Sequence, residues 1–286
     1  MKVCELYKKE KNFVRCLACS HKCLIREGKT GICGVRKNIK GKLYLLVYGK
    51  ISAEHIDPIE KKPLYHFLPG TKSYSIGTVG CNFKCDWCQN FDISQLSKQG
   101  IIIGQKRTPK QIVDNAIKSN CKSISYTYNE PAIWVEFIKK TAELAKKRGL
   151  KNILVTNGYF SEESLIYLKG LIDAANIDLK SFSDETYSKY CGAKLEPVLK
   201  NIKKMHEEKI HIETTTLLIP DINNSEEELE KIAKFLASID KNIVWHVTRF
   251  FPMYKMKEKE MTSPDSLKKA YQIGKKYLNY VYMGNV

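Results

Sequence analysis

The strongest constraint on the fold is a regular alternation of strand-like and helix-like segments that begins near residue 73. Each strand-like run is short and apolar, and an amphipathic run follows it. Six such pairs in succession predict an α/β protein whose parallel strands form a partial (βα)6 barrel. We expect strands at 73–79, 123–128, 152–157, 174–180, 211–219 and 243–250, and helices at 109–119, 131–148, 161–170, 195–209, 225–238 and 264–278.

Capping residues support two of these helices. Thr108 is followed three positions later by Gln111, and Ser225 is followed by Glu228. In each pair the hydroxyl and the longer polar side chain are spaced as in a capping box. These patterns predict helix starts directly after Thr108 and Ser225.

Residues 1–70 have a different composition from the rest of the chain. They are rich in cysteine and turn residues, and they hold 15 Lys and Arg against 6 Asp and Glu, whereas the whole chain has a net charge of +17. We expect two domains: a small cysteine-rich, metal-binding region at 1–70 and the barrel core at 71–286. Such a positive field attracts acidic partners.

Polar motifs follow the first four predicted strands of the core. In a parallel barrel the catalytic groups lie at the carboxyl ends of the strands. The coincidence of polar motifs with strand ends therefore predicts an active site there. The motifs are Gly80-Cys81, Asn129-Glu130-Pro131, Thr156-Asn157-Gly158 and Asp178-Leu179-Lys180.

The loop after the first strand carries Cys81, Cys85 and Cys88 in a C-x3-C-x2-C pattern. Four protein ligands close a structural zinc site or saturate a four-iron cluster, and a catalytic metal keeps one position open. Three thiolates would hold three irons of a cubane and leave the fourth iron for a small molecule. The alternative is a zinc knuckle that takes its fourth ligand from Cys121 or a histidine.

This pattern, with the aromatic Trp87 before its last cysteine, resembles the radical S-adenosylmethionine (SAM) superfamily. The resemblance implies an oxidoreductase-type enzyme with a [4Fe-4S] cluster on Cys81, Cys85 and Cys88 as the catalytic group. It also implies SAM as a bound cofactor and a 5′-deoxyadenosyl radical that removes hydrogen from a substrate. A reduced donor such as ferredoxin or flavodoxin would supply the electron.

The same resemblance assigns SAM-binding residues, by comparison with pyruvate formate-lyase activating enzyme. Asn129 and Glu130 align with the end of a Gly-Gly-Glu motif that holds the methionyl amino group, although Tyr128 and Asn129 replace its glycines. Thr156 and Asn157 match a stretch near SAM. Asp178 and Lys180 match an Asp-x-Lys motif whose lysine would pair with the SAM carboxylate. The alternative for each motif is an ordinary turn, cap or solvated strand end.

His246 and Arg249 lie three positions apart on the last predicted strand. Side chains of a regular strand alternate between its faces, so the two would point in opposite directions. We expect one of them to contact SAM or the substrate.

Longer segments resemble a narrower group, the AmmeMemoRadiSam-system radical SAM enzymes. They include IDPIEKKPLYHFLPG, SIGTVGCNFKCDWCQN, YTYNEP, WHVTRFFPMYKM and YVYMGNV. This group is related to the glycyl-radical activating enzymes. The resemblance implies Memo-like or AMMECR1-like proteins as partners.

A second set of cysteines lies near the amino terminus, at Cys16, Cys19, Cys23 and Cys33. The C-x2-C-x3-C-x9-C frame is suited to either a structural zinc ion or a saturated auxiliary [4Fe-4S] cluster. His21 is an alternative ligand for one of these cysteines. Clustered cysteines in a chain without secretion signals favour metal binding over disulfides. The other three cysteines, Cys4, Cys121 and Cys191, are expected to be ordinary thiols.

No signal peptide and no apolar run of membrane-spanning length is present, so we expect a cytoplasmic protein that does not bind membranes. The positive charge keeps RNA or nucleoside modification open as a second function. However, no aromatic-interleaved basic run of the kind that stacks bases occurs, which argues against nucleic acid as a partner. A third possibility is an iron–sulfur carrier or scaffold without turnover.

Overall fold

The computed structural model describes all residues from 1 to 286, and they form two compact units. The first unit contains Met1–Phe83 and Asn90–Ala175, and the second contains Lys84–Gln89 and Asn176–Val286. The cysteine-rich region and the first strands of the parallel sheet lie in the same unit. A separate domain at 1–70 stays a prediction.

The first unit contains twelve of the strands and four of the α-helices, with short 3-10 turns at Ile59–Lys61, Leu96–Gln99 and Pro131–Trp134. Its strands are β1 (Lys2–Val3), β2 (Tyr7–Glu10), β3 (Phe13–Cys16), β4 (Leu24–Arg26), β5 (Arg36–Ile39), β6 (Lys42–Leu45), β7 (Lys50–Ile51), β8 (Ala53–Pro58), β9 (Lys72–Gly77), β10 (Gln105–Lys106), β11 (Ser123–Tyr126) and β12 (Lys151–Thr156). Its helices are α1 (Phe91–Ser94), α2 (Pro109–Lys118), α3 (Val135–Lys147) and α4 (Glu162–Leu168).

Two kinds of sheet occur in this unit. The amino-terminal strands form small antiparallel sheets, in the orders β1-β6-β5 and β2-β3-β4. The later strands β9, β11 and β12 are parallel neighbours, and β8 pairs antiparallel with β9. Parallel strands need a crossover between them, and α2 and α3 provide it.

The second unit continues the βα succession. Its strands are β13 (Ala174–Asp178), which begins at the end of the first unit, β14 (His211–Leu218), β15 (Val244–Arg249) and β16 (Val281–Gly284). Its helices are α5 (Asp184–Thr186), α6 (Glu196–Glu207), α7 (Glu226–Ile239) and α8 (Pro264–Lys275), with a π-helical turn at Tyr187–Cys191. β14, β15 and β16 are parallel neighbours.

The predicted α/β fold with a parallel-strand sheet is confirmed. All six predicted strands are present and end within two residues of the expected positions, and all six predicted helices are present. The segment 131–148 differs in its first turn, which is 3-10 because Pro131 follows the Glu130 cap directly. Two further strands were not among the predicted six: β8, which pairs antiparallel with β9, and β16, which pairs parallel with β15.

The predicted helix starts are confirmed as well. Thr108 and Gln111 form a complete capping box, and the Ser225 hydroxyl accepts a hydrogen bond from the Glu228 amide. Helix α7 buries Leu229, Ile232, Ala233 and Leu236, a spacing that places all four side chains on one face. None of the helices combines the length and the apolar character that a membrane crossing requires.

Candidate active site

The site begins at the carboxyl end of β9, in the first unit. After Gly77 the chain passes through Gly80, which has a φ of 99°, a conformation that favours glycine. A Cβ at Gly80 would lie 2.8 Å from the Ser97 hydroxyl and 2.9 Å from the Cys33 carbonyl oxygen. Only glycine therefore lets the chain turn here toward Cys81.

The Cys81 sulfur lies among amide donors of the first unit. The Phe83 N–H donates to it at 3.4 Å, and the Asn157 side-chain amide lies at 4.0 Å. Hydrogen bonds from N–H groups stabilise a ligating thiolate and tune the potential of an iron–sulfur cluster. The half-buried Cys81 therefore fits the role of a cluster ligand that a small molecule can approach.

Residues 81–88 form what we call the three-cysteine loop. Its part in the second unit, which begins at Lys84, is held by backbone hydrogen bonds. Lys84 donates to the Cys191 carbonyl at 2.9 Å, and Asp86 donates to the Tyr190 carbonyl at 3.2 Å. The loop approaches this turn so closely that a Cβ at Gly192 would lie 2.7 Å from the Lys84 side chain.

Side chains add to this anchoring. The buried Trp87 packs against the Tyr190 ring, with 5.8 Å between the ring centroids. The Lys255 ammonium lies 3.0 Å from the Asp86 carboxylate. On this well-held segment Cys85 is buried and Cys88 is half-buried, so the loop offers thiols with different access to solvent.

Asn129 connects the ends of two strands in the first unit. Its side-chain oxygen accepts a hydrogen bond from the Thr78 amide at 3.2 Å, and its side-chain nitrogen donates to the Gly80 carbonyl at 2.9 Å. Asn129 therefore fixes the segment that leads into Cys81. Contact of Asn129 with SAM stays a prediction.

Glu130 is almost fully buried, and its carboxylate accepts hydrogen bonds from neighbouring protein groups. One carboxylate oxygen accepts hydrogen bonds from the Ala132 amide at 2.9 Å and the Thr156 hydroxyl at 2.8 Å. The other oxygen accepts from the Asn157 amide at 2.8 Å. These bonds use three of the roughly four acceptor positions of a carboxylate. Glu130 thus ties the β11 end to the β12 end, and its contact with the methionyl amino group stays a prediction.

Tyr128 occupies a backbone conformation that suits the glycine it replaces. Its φ is 71°, in the left-handed region where bulky side chains are strained. The Tyr128 hydroxyl donates to Asp57 at 2.7 Å, and the Lys62 ammonium lies 4.9 Å from the centre of its ring. These contacts hold the strained residue in place.

Asn157 reaches from the end of β12 to the three-cysteine loop. Its amide nitrogen donates to the Asn82 side-chain oxygen at 2.8 Å, and its own oxygen accepts from the Tyr159 amide at 3.1 Å. The neighbouring Thr156 hydroxyl binds Glu130 and accepts from the Gly158 amide at 3.0 Å. Both residues therefore position the loop, and their contact with SAM stays a prediction.

Asp178 and Lys180 form an ion pair at the end of β13 in the second unit. The Lys180 ammonium donates to the Asp178 carboxylate at 2.9 Å. Burial lowers the pKa of Lys180, but Asp178 and the sulfurs of Cys85 and Cys191 outweigh it and hold the pKa well above its usual value. These charges favour the protonated form of Lys180, and its contact with the SAM carboxylate stays a prediction.

His246 and Arg249 lie in different surroundings within the second unit. The buried His246 shares a hydrogen bond of 2.6 Å with Glu213. Arg249 donates to the Thr262 carbonyl at 2.8 Å and to the Met261 sulfur at 3.1 Å. Contact of either residue with SAM or substrate stays a prediction.

Four cysteines of the first unit, Cys16, Cys19, Cys23 and Cys33, form what we call the N-terminal cysteine cluster. They line one small cavity together with His21 and Asn82. Burial raises the pKa of all four thiols, and sulfurs of the same cluster raise it further. The Arg36 guanidinium opposes this at Cys16 and Cys33. A bound metal would deprotonate such thiols.

The side chains as they stand do not close around a single metal ion anywhere in the molecule. No group of three or more His, Cys, Asp or Glu side chains has an arrangement that would hold one ion. A cubane takes one cysteine per iron and so keeps its thiolates further apart than a single ion does. The N-terminal cysteine cluster offers four thiols around one cavity, one for each iron of a cubane.

Two residues near these motifs were missed by the sequence analysis. Glu213 lies fully buried between His211 at 3.1 Å and His246. The sequence feature that could have indicated Glu213 is a carboxylate within the otherwise uncharged and mostly β-branched or apolar strand HIETTTLLI. Ser97, which donates to the Cys33 carbonyl at 2.8 Å, had no signal because its role depends on long-range packing.

Comparison with known proteins identifies the family. The radical SAM superfamily model matches residues 75–236 of this chain. An uncharacterised protein of Methanocaldococcus jannaschii is 42% identical over 98% of this chain and 83% of its own length. The chain therefore belongs to the radical SAM superfamily.

More distant matches include activating enzymes. The pyruvate formate-lyase-activating enzyme of Staphylococcus epidermidis is 20% identical over 74% of this chain and 90% of its own length. A solved domain of pyruvate-formate lyase-activating enzyme from Bacteroides vulgatus has a TM-score of 0.50 and 21% identity, and it covers 57% of this chain and 99% of that chain. The solved structure supports the shared fold, and the sequence match shows homology to glycyl-radical activating enzymes.

Proposed function

We propose that this protein is a radical SAM enzyme that reductively cleaves SAM and abstracts a hydrogen atom from a protein or small substrate, as the activating enzymes of glycyl-radical enzymes do. The three-cysteine loop at the carboxyl end of β9 carries the proposal. Its first sulfur receives an N–H hydrogen bond, and its later residues are fixed by the turn at Tyr190–Gly192.

When bound to Cys81, Cys85 and Cys88, a [4Fe-4S] cluster with one open iron would give one electron to SAM, yielding methionine and a 5′-deoxyadenosyl radical that takes hydrogen from the substrate. Lys180 would bind the SAM carboxylate, exchanging its present Asp178 partner for the ligand. Glu130 and Asn157 would hold the ends of β11 and β12 in position, and the backbone beside Tyr128 would receive the amino group.

The long shared segments support membership of the AmmeMemoRadiSam group, with a Memo-like or AMMECR1-like protein as partner. The electron would come from a reduced ferredoxin or flavodoxin. The net charge of +17 favours docking of such acidic carriers.

The test is anaerobic reconstitution followed by addition of SAM and dithionite, with chromatography for 5′-deoxyadenosine. The wild type should form deoxyadenosine, and Cys81→Ala should not. Cys121→Ala is the matched control, because Cys121 is a buried cysteine of the same unit whose thiol donates to the Ser119 carbonyl at 3.9 Å. A reducible cluster in the wild type without any deoxyadenosine would refute the proposed function.

A further inference from the structure

We infer that the N-terminal cysteine cluster binds an auxiliary [4Fe-4S] cluster rather than zinc, and that this cluster passes single electrons to the cluster of the three-cysteine loop. The second half rests on the proposed function, because the relay needs an acceptor at Cys81. Three features of the first unit carry the inference. They are the arrangement of the four N-terminal cysteines, a buried side-chain amide without a hydrogen-bond partner, and two contacts between the N-terminal region and the residues that flank Cys81.

The arrangement of the sulfurs favours a cluster. A tetrahedral zinc site with Zn–S bonds of about 2.3 Å brings its sulfurs to roughly 3.8 Å from one another. The four N-terminal cysteines instead line a cavity, and no three of them are arranged to hold a single ion. A cubane core fills such a space with irons and sulfides, and each cysteine needs to reach only one iron.

The second feature is the Asn82 side chain, which lines the same cavity. Asn82 is 1% exposed, and its amide nitrogen has no hydrogen-bond partner. The orientation of the amide is fixed, because its oxygen accepts from Asn157 at 2.8 Å. A buried donor without a partner is energetically unfavourable. The thiolates and sulfides of a bound cluster are acceptors that would satisfy it.

The third feature is contact between the segments that carry the N-terminal cysteines and the residues on either side of Cys81. His21, which lies between Cys19 and Cys23 in sequence, donates from Nε2 to the Asn82 carbonyl at 2.9 Å. On the other side of Cys81, Gly80 lies so close to the Cys33 carbonyl that no Cβ would fit between them. The residues before and after Cys81 therefore both contact the N-terminal site.

The relay transfers one electron at each step. An auxiliary cluster held by Cys16, Cys19, Cys23 and Cys33 would accept one electron from a reduced carrier of the ferredoxin or flavodoxin class. It would supply that electron to the cluster at Cys81, and no bond would form or break. The excess of Lys and Arg in residues 1–70 would attract the acidic carrier to this end of the path.

Metal analysis tests the cluster. Anaerobically purified and reconstituted wild type should contain about eight irons and eight sulfides per chain, four for each cluster. The double variant Cys16→Ala/Cys19→Ala should contain about four, and Cys121→Ala about eight. One zinc per chain with about four irons, or about four irons without zinc, would overturn the inference.

Reduction kinetics test the relay in a variant that keeps every ligand. His21→Gln should retain both clusters but slow reduction of the loop cluster by reduced ferredoxin by about tenfold or more, measured by freeze-quench electron paramagnetic resonance. Reduction by dithionite, a small molecule that needs no relay, should be unchanged. Equal ferredoxin rates in wild type and variant would overturn the relay. Normal reduction without deoxyadenosine would instead refute the proposed function and leave the auxiliary cluster standing.

Discussion

The three-cysteine loop and the N-terminal cysteine cluster use the same ligand in two different settings. The loop offers three thiols, of which Cys81 and Cys88 are half-buried, and it is followed by strand ends with polar side chains. The N-terminal cluster offers four thiols, of which only Cys23 is more than slightly exposed, around a cavity with a buried cation nearby. Under the two proposals above, the number of ligands and their access to solvent would distinguish a site for chemistry from a site for electron transfer.

The comparison also shows how each site is held in place. The loop is fixed by backbone hydrogen bonds, by a glycine at a close contact and by the side chains of Asn82, Asp86 and Trp87. The N-terminal cluster lies beside the buried Arg36, which pairs with Glu136. Four predictions sharpen this difference.

The largest effect is expected from a matched pair of cysteine variants. Cys88→Ala and Cys23→Ala each remove one half-buried thiol, and each should lower the iron content by up to about four per chain. With dithionite as reductant, Cys88→Ala should abolish deoxyadenosine formation and Cys23→Ala should retain it. Loss of deoxyadenosine in both variants would contradict the division into a catalytic and an auxiliary site.

The second prediction concerns the buried ion pair. The Arg36 guanidinium binds both Glu136 oxygens, at 3.0 Å and 2.5 Å, and each side chain is 1% exposed. Arg36→Met leaves the Glu136 charge buried and should lower the free energy of unfolding by about 3–5 kcal/mol, measured by anaerobic urea denaturation. Arg148→Met, which breaks an exposed pair with Asp114, should cost less than about 1 kcal/mol. Similar losses of unfolding free energy in both variants would show that the buried ion pair contributes no more to stability than the exposed one.

The third prediction concerns SAM binding at Lys180. Lys180→Met should raise the KM for SAM by about tenfold or more and change kcat less, because a bond to a charged group is lost. The pKa of Lys180 is held above its usual value, so its charge is lost only as the pH rises beyond that range. The wild-type KM should therefore show no lysine titration below about pH 10. Lys234→Met, which alters an exposed pair with Glu230, is the control. An unchanged KM in Lys180→Met would refute this role.

The smallest effect is expected at Tyr128. Tyr128→Phe removes the hydrogen bond to Asp57 and should lower the free energy of unfolding by about 1–2 kcal/mol. Tyr48→Phe is the control, because it removes a tyrosine hydroxyl and leaves the packing of the ring on Phe137 in place. Equal stability of Tyr128→Phe and wild type in urea denaturation would show that the strained backbone does not need this bond.

The parts of the site that lie close together in sequence were predictable. The three-cysteine loop was recognisable because its ligands occupy eight consecutive positions, 81–88. The strand-end motifs were found because a parallel sheet brings the carboxyl ends of its strands to one edge. The roles of Glu130 and Asn129 were less predictable, because their partners lie 26 to 51 residues away in sequence.

Local periodicity, caps and cysteine spacing thus determined the α/β fold, the order of its βα units and the identity of the ligand-bearing loop, since each depends on interactions between near neighbours in sequence. Only the tertiary structure placed Cys33 against Gly80 and His21 against the Asn82 carbonyl. It also left the Asn82 amide without a partner in the cavity of the N-terminal cysteine cluster. These contacts join segments about fifty or more residues apart, and no local pattern encodes them, because they arise only when the chain packs.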